Sequence, residues 1–198
     1  MAGRILPAFL KSLYSVSIAG GEMIITPLDI DGAYLIQLKP FSDARGSFSR
    51  QFCQRELKDA GIDIDIRQCN ISKNYKSGTL RGMHYQKIPY PEKKIVSCTQ
   101  GAIYDVIVDI RQESPTFLQW ASVVLSAEND HLVFIPPGVA HGFQTLTDNS
   151  TVYYQLGEFF MPEYYAGVRW NDPAFGIKWP DCPHRIINDR DANYALFR

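Results

Sequence analysis

Six short runs along the chain are rich in β-branched and aromatic residues: 33–38, 94–98, 102–110, 120–125, 131–135 and 150–156. Gly, Pro, Asn and Asp separate them. Runs of this length between turn formers predict strands. Many such strands at regular spacing predict a sandwich or barrel, so the fold class is mainly β. One segment, 53–61, reads as helix and is closed by a C-terminal glycine. The tail, 162–198, is rich in Trp, Pro and Asp and predicts short helices and loops packed over the barrel. No internal repeat, charge block or low-complexity tract interrupts this pattern.

Residues 1–22 carry an apolar run at 5–10 that Lys11 breaks. A signal peptide has a longer apolar core, and a membrane span needs roughly 20 apolar residues. This segment is expected to be a poorly ordered extension before one domain over 23–198. The length of 198 residues fits one domain with a substantial core. Lys and Arg (20) nearly balance Asp and Glu (21), giving a net charge of −1. That balance excludes a whole-chain affinity for nucleic acid or membrane surfaces, so any positive site must be local. The cysteines Cys53, Cys69, Cys98 and Cys182 form no C-x-x-C pair. Their dispersion fits a reduced, cytoplasmic protein better than a zinc site or disulfide framework.

The densest polar cluster is Gly78-Thr-Leu-Arg81-Gly-Met-His84-Tyr-Gln86, and a second segment is Pro136-Pro-Gly138-Val-Ala-His141. Together they resemble the two motifs of the cupin superfamily, which implies a jelly-roll β-barrel. Metal-binding cupins use His-x-His and a Glu in the first motif. Here Gln86 replaces the second histidine, and Glu92 is the nearest downstream carboxylate. An amide is a poor ligand, so no metal is expected. His84 then becomes a side-chain base, since imidazole titrates near neutrality. Other choices stay open on the residues alone. Tyr153 and Tyr154 face opposite sides of one strand, and Lys93 and Lys94 are adjacent. Asp181, Asp189 and Asp191 compete as carboxylates near the C-terminus, and Asp172 reads as a turn cap. Arg81 and His84 are three apart, which in a regular strand puts them on opposite faces. A bend or bulge at Gly82, or approach of Arg81 from the barrel mouth, would bring them together.

A collinear set of longer segments resembles the dTDP-4-dehydrorhamnose 3,5-epimerase family of rhamnose-precursor synthesis. It includes Phe41-Ser-Asp-Ala-Arg-Gly-Ser-Phe, Leu80-Arg-Gly-Met-His-Tyr-Gln, Gly101-Ala-Ile-Tyr-Asp-Val-Ile-Val-Asp-Ile-Arg, Ser114-Pro-Thr-Phe, Pro136-Pro-Gly-Val-Ala-His-Gly-Phe and Val168-Arg-Trp-Asn-Asp-Pro. The resemblance implies epimerisation of a nucleotide-linked 4-keto sugar without a cofactor. It matches His84 to the general base, Asp191 to its carboxylate partner, Tyr154 to the proton donor and Lys94 to the lysine near the ketone. It places His141 at the site, and Arg45, Gln68, Asn70 and Arg81 on the substrate, chiefly its pyrophosphate. Phe160 matches the aromatic residue stacked on the base of the nucleotide. Relatives are commonly homodimers that share strands, which implies the same partner here.

The chain departs from the family around the nucleotide. Arg50 and Tyr165 stand where glutamates are common, Phe160 where tyrosine is frequent, and Gln155 and Arg190 where lysines are common. A charge reversal at Arg50 leaves CDP- or GDP-linked 4-keto sugars as alternatives to dTDP. Inversion at C3, C5 or both stays open. A metal-dependent cupin and a non-catalytic nucleotide-sugar binder are the competing readings from other classes.

Overall fold

The structure is a computed structural model that describes residues 23–197 and the two-residue strand Tyr14–Ser15. The expected N-terminal extension, 1–22, otherwise lies outside the described residues. Two antiparallel sheets dominate. The first has the spatial order β1 (Tyr14–Ser15), β2 (Met23–Pro27), β3 (Tyr34–Leu38), β11 (His131–Ile135), β8 (Lys94–Gln100), β13 (Ser150–Leu156) and β6 (Gln68–Asn74). The second runs β10 (Trp120–Ser126), β9 (Ala102–Asp109), β12 (Val139–Thr145), β7 (Leu80–Gln86) and β14 (Tyr165–Gly167). A separate hairpin joins β4 (Phe41–Asp43) to β5 (Gly46–Phe48). The helices are α1 (Gln54–Asp59) and α2 (Asp189–Ala192). This is the mainly β, cupin-like jelly roll that the motifs imply.

The sheets pack face to face. Val96, Cys98, Val133, Ile135 and Val152 from the first meet Ile103, Ile107, Leu125, Val139 and Phe143 from the second in one buried cluster. Such burial of apolar area is the main force holding two sheets together. Ile95, next to Val96, points the other way, into a cluster with Leu57 of α1, Ile62 and Ile64. Strand β8 is thus buried on both faces, which explains why its sequence shows an apolar run and little alternation. Helix α1 ends at Gly61, whose φ of +82° suits glycine at the position after a helix. The tail covers the outer face of the second sheet: Val168 and Phe175 pack on Met83, Val106, Val108 and Ala140. It holds the four-residue helix α2 but also contributes a strand, β14, which pairs with β7.

Asp109, at the end of β9, is completely buried and accepts hydrogen bonds from Arg111, Ser114 and Thr116 at 2.7, 2.5 and 2.6 Å. Burial opposes its charge, but these donors outweigh burial and hold its pKa down to about 2. A folded value below the unfolded one stabilises the protein above the ordinary carboxylate pKa, and the gain vanishes as pH falls toward 2. Asp109→Asn is therefore expected to lower the unfolding free energy at pH 7 by about 1–2 kcal/mol, with a smaller loss at pH 3. Urea melts at the two pH values check this; equal losses would contradict it.

No helix among the described residues is long and apolar enough to cross a membrane.

Candidate active site

At one end of the two-sheet core a cavity of about 170 Å³ opens. Its walls include Arg81 and His84 from β7, Lys94 from β8, His141 from β12 and Tyr154 from β13, so both sheets contribute. Arg81 and His84 share this cavity because β7 bulges. Across the β7–β12 pair, His141 faces His84 and Phe143 faces Arg81, so two steps on β12 span three on β7. The extra residue restores both side chains to one face. Gly82 supplies the bend at φ +123°, and a Cβ there would lie 2.5 Å from the Cα of Gly142 and 2.8 Å from the carbonyl of His141. Only glycine allows that approach.

His84 donates from Nε2 to Asp191 Oδ1 at 2.8 Å, which leaves Nδ1 as the basic nitrogen. Asp191 is fully buried, and its Oδ2 accepts from the Gly82 amide at 3.0 Å. Asn188 caps α2 by accepting from the Asp191 amide at 2.7 Å, which fixes where that carboxylate points. The pair sets complementary protonation. Burial pushes the His84 pKa below its ordinary 6.5, and Lys94 and His141 nearby push the same way, although Asp191 pulls the other way. Burial raises the pKa of Asp191, but the His84 bond, the Gly82 amide and Arg190 outweigh it and the net shift is downward. The arrangement at neutral pH is thus a neutral imidazole oriented by a carboxylate.

His141 has the same construction. It donates from Nε2 to Asp105 Oδ2 at 2.6 Å, and both residues are buried. Lys94 Nζ lies 2.7 Å from a carboxylate oxygen of Glu92, with both side chains almost completely buried. Tyr154 packs its ring at 6.1 Å from His141. Burial, reinforced by the charge of Asp105, raises the pKa of its hydroxyl far above the ordinary 10, so it stays protonated and can donate. Arg81 donates from Nε to Asn74 at 2.8 Å.

The remaining expected residues divide by position. Asn70 and Phe160 line the cavity. Gln68 supports its rim: its side-chain oxygen accepts from the Phe160 amide at 2.8 Å. Arg190 stacks at 5.1 Å over Tyr165, another wall residue. Arg45 and Arg50 are not brought to the cavity within this chain. Arg45 is bonded to Asp43 at 2.6 Å on the exposed β4–β5 hairpin. Arg50 turns away to pair with buried Glu56 at 2.5 Å, which neutralises the charge that distinguishes this position. Gln86 is also not a cavity ligand: it is buried and binds the Tyr90 and Phe159 carbonyls at 2.6 and 3.2 Å and the Met161 amide at 2.8 Å. Among the described residues no group of three His, Cys, Asp or Glu side chains converges to hold a metal ion.

Residue-level reading missed Asp105, and missed Glu92 as the partner of Lys94. Asp105 was detectable: it lies between Ile103 and Ile107 on the core-facing side of β9, where a carboxylate requires a partner. Tyr165, whose ring is 5.2 Å from that of His84, and Tyr194, at 6.1 Å, complete the surroundings of the base. Tyr165 carried only the signal of departing from the family pattern.

The cavity therefore sets an oriented neutral base on one sheet and a protonated phenol on the other, with Lys94, from the sheet of the phenol, in the same wall. At about 170 Å³ it is smaller than the roughly 300–1,000 Å³ that encloses a larger organic ligand, so it suits a sugar whose attached group remains at the mouth. A family model described as dTDP-4-dehydrorhamnose 3,5-epimerase matches residues 27–198. A relative of that name from Sinorhizobium fredii is 37% identical over 172 residues, covering 87% of this chain and 88% of the relative. The crystal structure of the Bacillus anthracis epimerase of that name, with TDP and PPi bound, is similar at a TM-score of 0.85 and 38% identity, covering 88% of this chain and 99% of the other. A dTDP-6-deoxy-D-glucose-3,5-epimerase from Legionella pneumophila, in complex with dTDP-4-keto-L-rhamnose, is similar at 0.84 and 36%, covering 88% and 92%.

Proposed function

The chain belongs to the dTDP-4-dehydrorhamnose 3,5-epimerase family, and from that premise we propose that it converts dTDP-4-dehydro-6-deoxyglucose to dTDP-4-dehydrorhamnose, using side chains alone. The observation that carries this reading is the opposition of the His84–Asp191 pair and Tyr154 across one cavity.

The ketone at C4 acidifies the hydrogens on C3 and C5, because the carbanion delocalises onto oxygen as an enolate. His84 Nδ1 takes the proton, and the electron pair of the broken C–H bond moves to the C4 oxygen. Asp191 stabilises the resulting imidazolium. The Lys94 ammonium stabilises the enolate oxygen, and in a buried site such a charge acts without the screening of water. Tyr154 then delivers a proton to the opposite face, which inverts the carbon. His84 returns its proton to water and Tyr154 is reprotonated, so the cycle closes without redox change. Arg81, with a planar fork suited to phosphate oxygens, and Asn70 hold the pyrophosphate near the mouth. Phe160, half exposed at the rim, offers a face on which the nucleotide base stacks.

The purified protein, treated with chelator, is expected to turn dTDP-4-keto-6-deoxyglucose into the inverted product in an NMR assay. The CDP and GDP sugars are expected to react at least about tenfold more slowly, since Arg50 is neutralised by Glu56 and does not recast the nucleotide site. Equal or faster turnover of a CDP or GDP sugar would overturn the thymidine assignment. Binding without turnover of any of the three would favour a non-catalytic binder, and activity lost with the chelated metal would favour a metal-dependent cupin.

The pH dependence follows from the base. His84 must be neutral to accept a proton, and its pKa lies below 6.5. The value of kcat/KM is expected to rise with pH to a plateau, with its midpoint below 6.5. The raised Tyr154 pKa removes any alkaline loss from that group below pH 10. A midpoint above 7 would contradict the assignment of His84.

We also propose a homodimer in a cytoplasmic setting. All six residues of β4 and β5 are exposed, including Phe41 and Phe48 at 63% and 70%. Two large exposed aromatic side chains on a short hairpin favour docking on another surface. A second copy seated there would carry Arg45 toward its partner's cavity. Sedimentation at the mass of two chains supports this, and a monomer at micromolar concentration rejects it. The four free cysteines favour a reducing compartment.

A further inference from the structure

Glu92 is 8% exposed and lines the cavity, and apart from its ion pair with Lys94 its Oε1 has no hydrogen-bond partner among the described residues. Its Oε1 lies 2.7 Å from Lys94 Nζ, a buried ion pair that uses part of the carboxylate's acceptor capacity. A carboxylate has about four acceptor sites, and buried acceptors are almost always satisfied. Leaving one unsatisfied costs stability, so a buried carboxylate in a cavity wall calls for a donor from whatever fills the cavity.

We propose that Glu92 is a specificity-determining residue that accepts a hydrogen bond from the sugar hydroxyl next to the reacting ketone. The proposal rests on the reading of this cavity as a 4-keto sugar site with Lys94 at the ketone oxygen. On such a hexose the ketone is flanked by C3, which bears a hydroxyl, and C5, which bears a methyl and the ring oxygen. Only the C3 side offers a donor. Because Glu92 sits against the same ammonium that faces the ketone oxygen, its partner is the 3-hydroxyl. One ion pair then reads two adjacent oxygens: Lys94 donates to the ketone and Glu92 accepts from the neighbouring hydroxyl. Inversion at C3 moves that hydroxyl, so this contact distinguishes the two configurations at C3 and is blind to C5.

The test is a cycle of dissociation constants measured by calorimetry. The ligands are a dTDP-linked 6-deoxyhexose with a 3-hydroxyl and its 3-deoxy counterpart. The proteins are the full chain, Glu92→Gln and Glu92→Ala. Removing the hydroxyl is expected to weaken binding to the unaltered protein about tenfold or more, the scale of a hydrogen bond to a charged group. The same removal is expected to cost Glu92→Gln less, and Glu92→Ala less than about threefold. The 3-deoxy ligand does not use the contact, so its affinity for each variant reports any general damage to the site. An equal hydroxyl effect in all three proteins, or none in the unaltered one, overturns the role of Glu92 and leaves the sugar site standing. Failure of the unaltered protein to bind either ligand overturns the sugar site itself.

Discussion

Replacing His84 with glutamine is expected to lower kcat/KM by about 10²- to 10⁴-fold, the range that a positioned proton carrier contributes. The glutamine amide reaches the place of Nε2 and can still donate to Asp191, whose other oxygen stays bonded to the Gly82 amide. Asp191 is therefore not left buried and unpaired, and the bulge that brings Arg81 into the cavity keeps its anchor. What disappears is the second ring nitrogen, the only part of His84 that can take a proton while the first is engaged. Affinity for dTDP is expected to change less than about threefold, because the nucleotide contacts lie at the mouth, away from this pair. Kinetics and a dTDP titration on the same sample separate the two effects. A variant within tenfold of full activity would show that another group is the base, and His141 with Asp105 would be the first to examine.

Tyr154→Phe is expected to separate two events that the intact enzyme couples. The substitution removes one hydroxyl and leaves the ring against His141. His84 can still remove the proton, and the enolate can take one back on the same face. In D2O the sugar should acquire deuterium with its configuration retained, while net inversion falls by about 10²-fold or more. The ratio of exchange to inversion therefore rises steeply. Proton NMR reads exchange as loss of signal and inversion as a change in coupling between ring hydrogens. Inversion that persists near its full rate would assign the donor role elsewhere, and Tyr165, a half-buried phenol with a raised pKa beside His84, is the alternative on the cavity wall.

The parts of the fold that were legible in the sequence are those where side-chain type and burial agree. The six runs read as strands correspond to β3, β8, β9, β10, β11 and β13, each rich in Val, Ile, Leu or aromatic residues that face the core. Strands β6, β7 and β12 were visible only as motifs. Their inward positions carry Asn70, Arg81, His84 and His141, so the chemistry of the cavity erases the apolar alternation that marks a strand. The same conflict makes Gly82 informative, since a strand that must present residues three apart to one cavity needs a bulge.

The site was legible where a residue's type limited its use, and illegible where only the fold chooses among equals. Asp189 and Asp191 are two residues apart in one short helix, and the Asn188 cap decides which one is buried behind His84. Lys93 and Lys94 are adjacent where β8 begins, a strand whose faces are both buried: Lys93 reaches the Asp63 carbonyl, and Lys94 enters the cavity. Arg45 matches a substrate contact by motif, yet its hairpin stands clear of this chain's own cavity.

The central claim is that His84 removes a proton from a carbon next to the C4 ketone. The most direct measurement incubates the chelator-treated protein with dTDP-4-keto-6-deoxyglucose in D2O and follows the C3 and C5 hydrogens by NMR. The account predicts that deuterium enters at least one of these positions, that none enters C1 or C2, and that His84→Gln suppresses the exchange by at least about 100-fold. Product formed without deuterium at either carbon, or exchange that proceeds unchanged in His84→Gln, would contradict it.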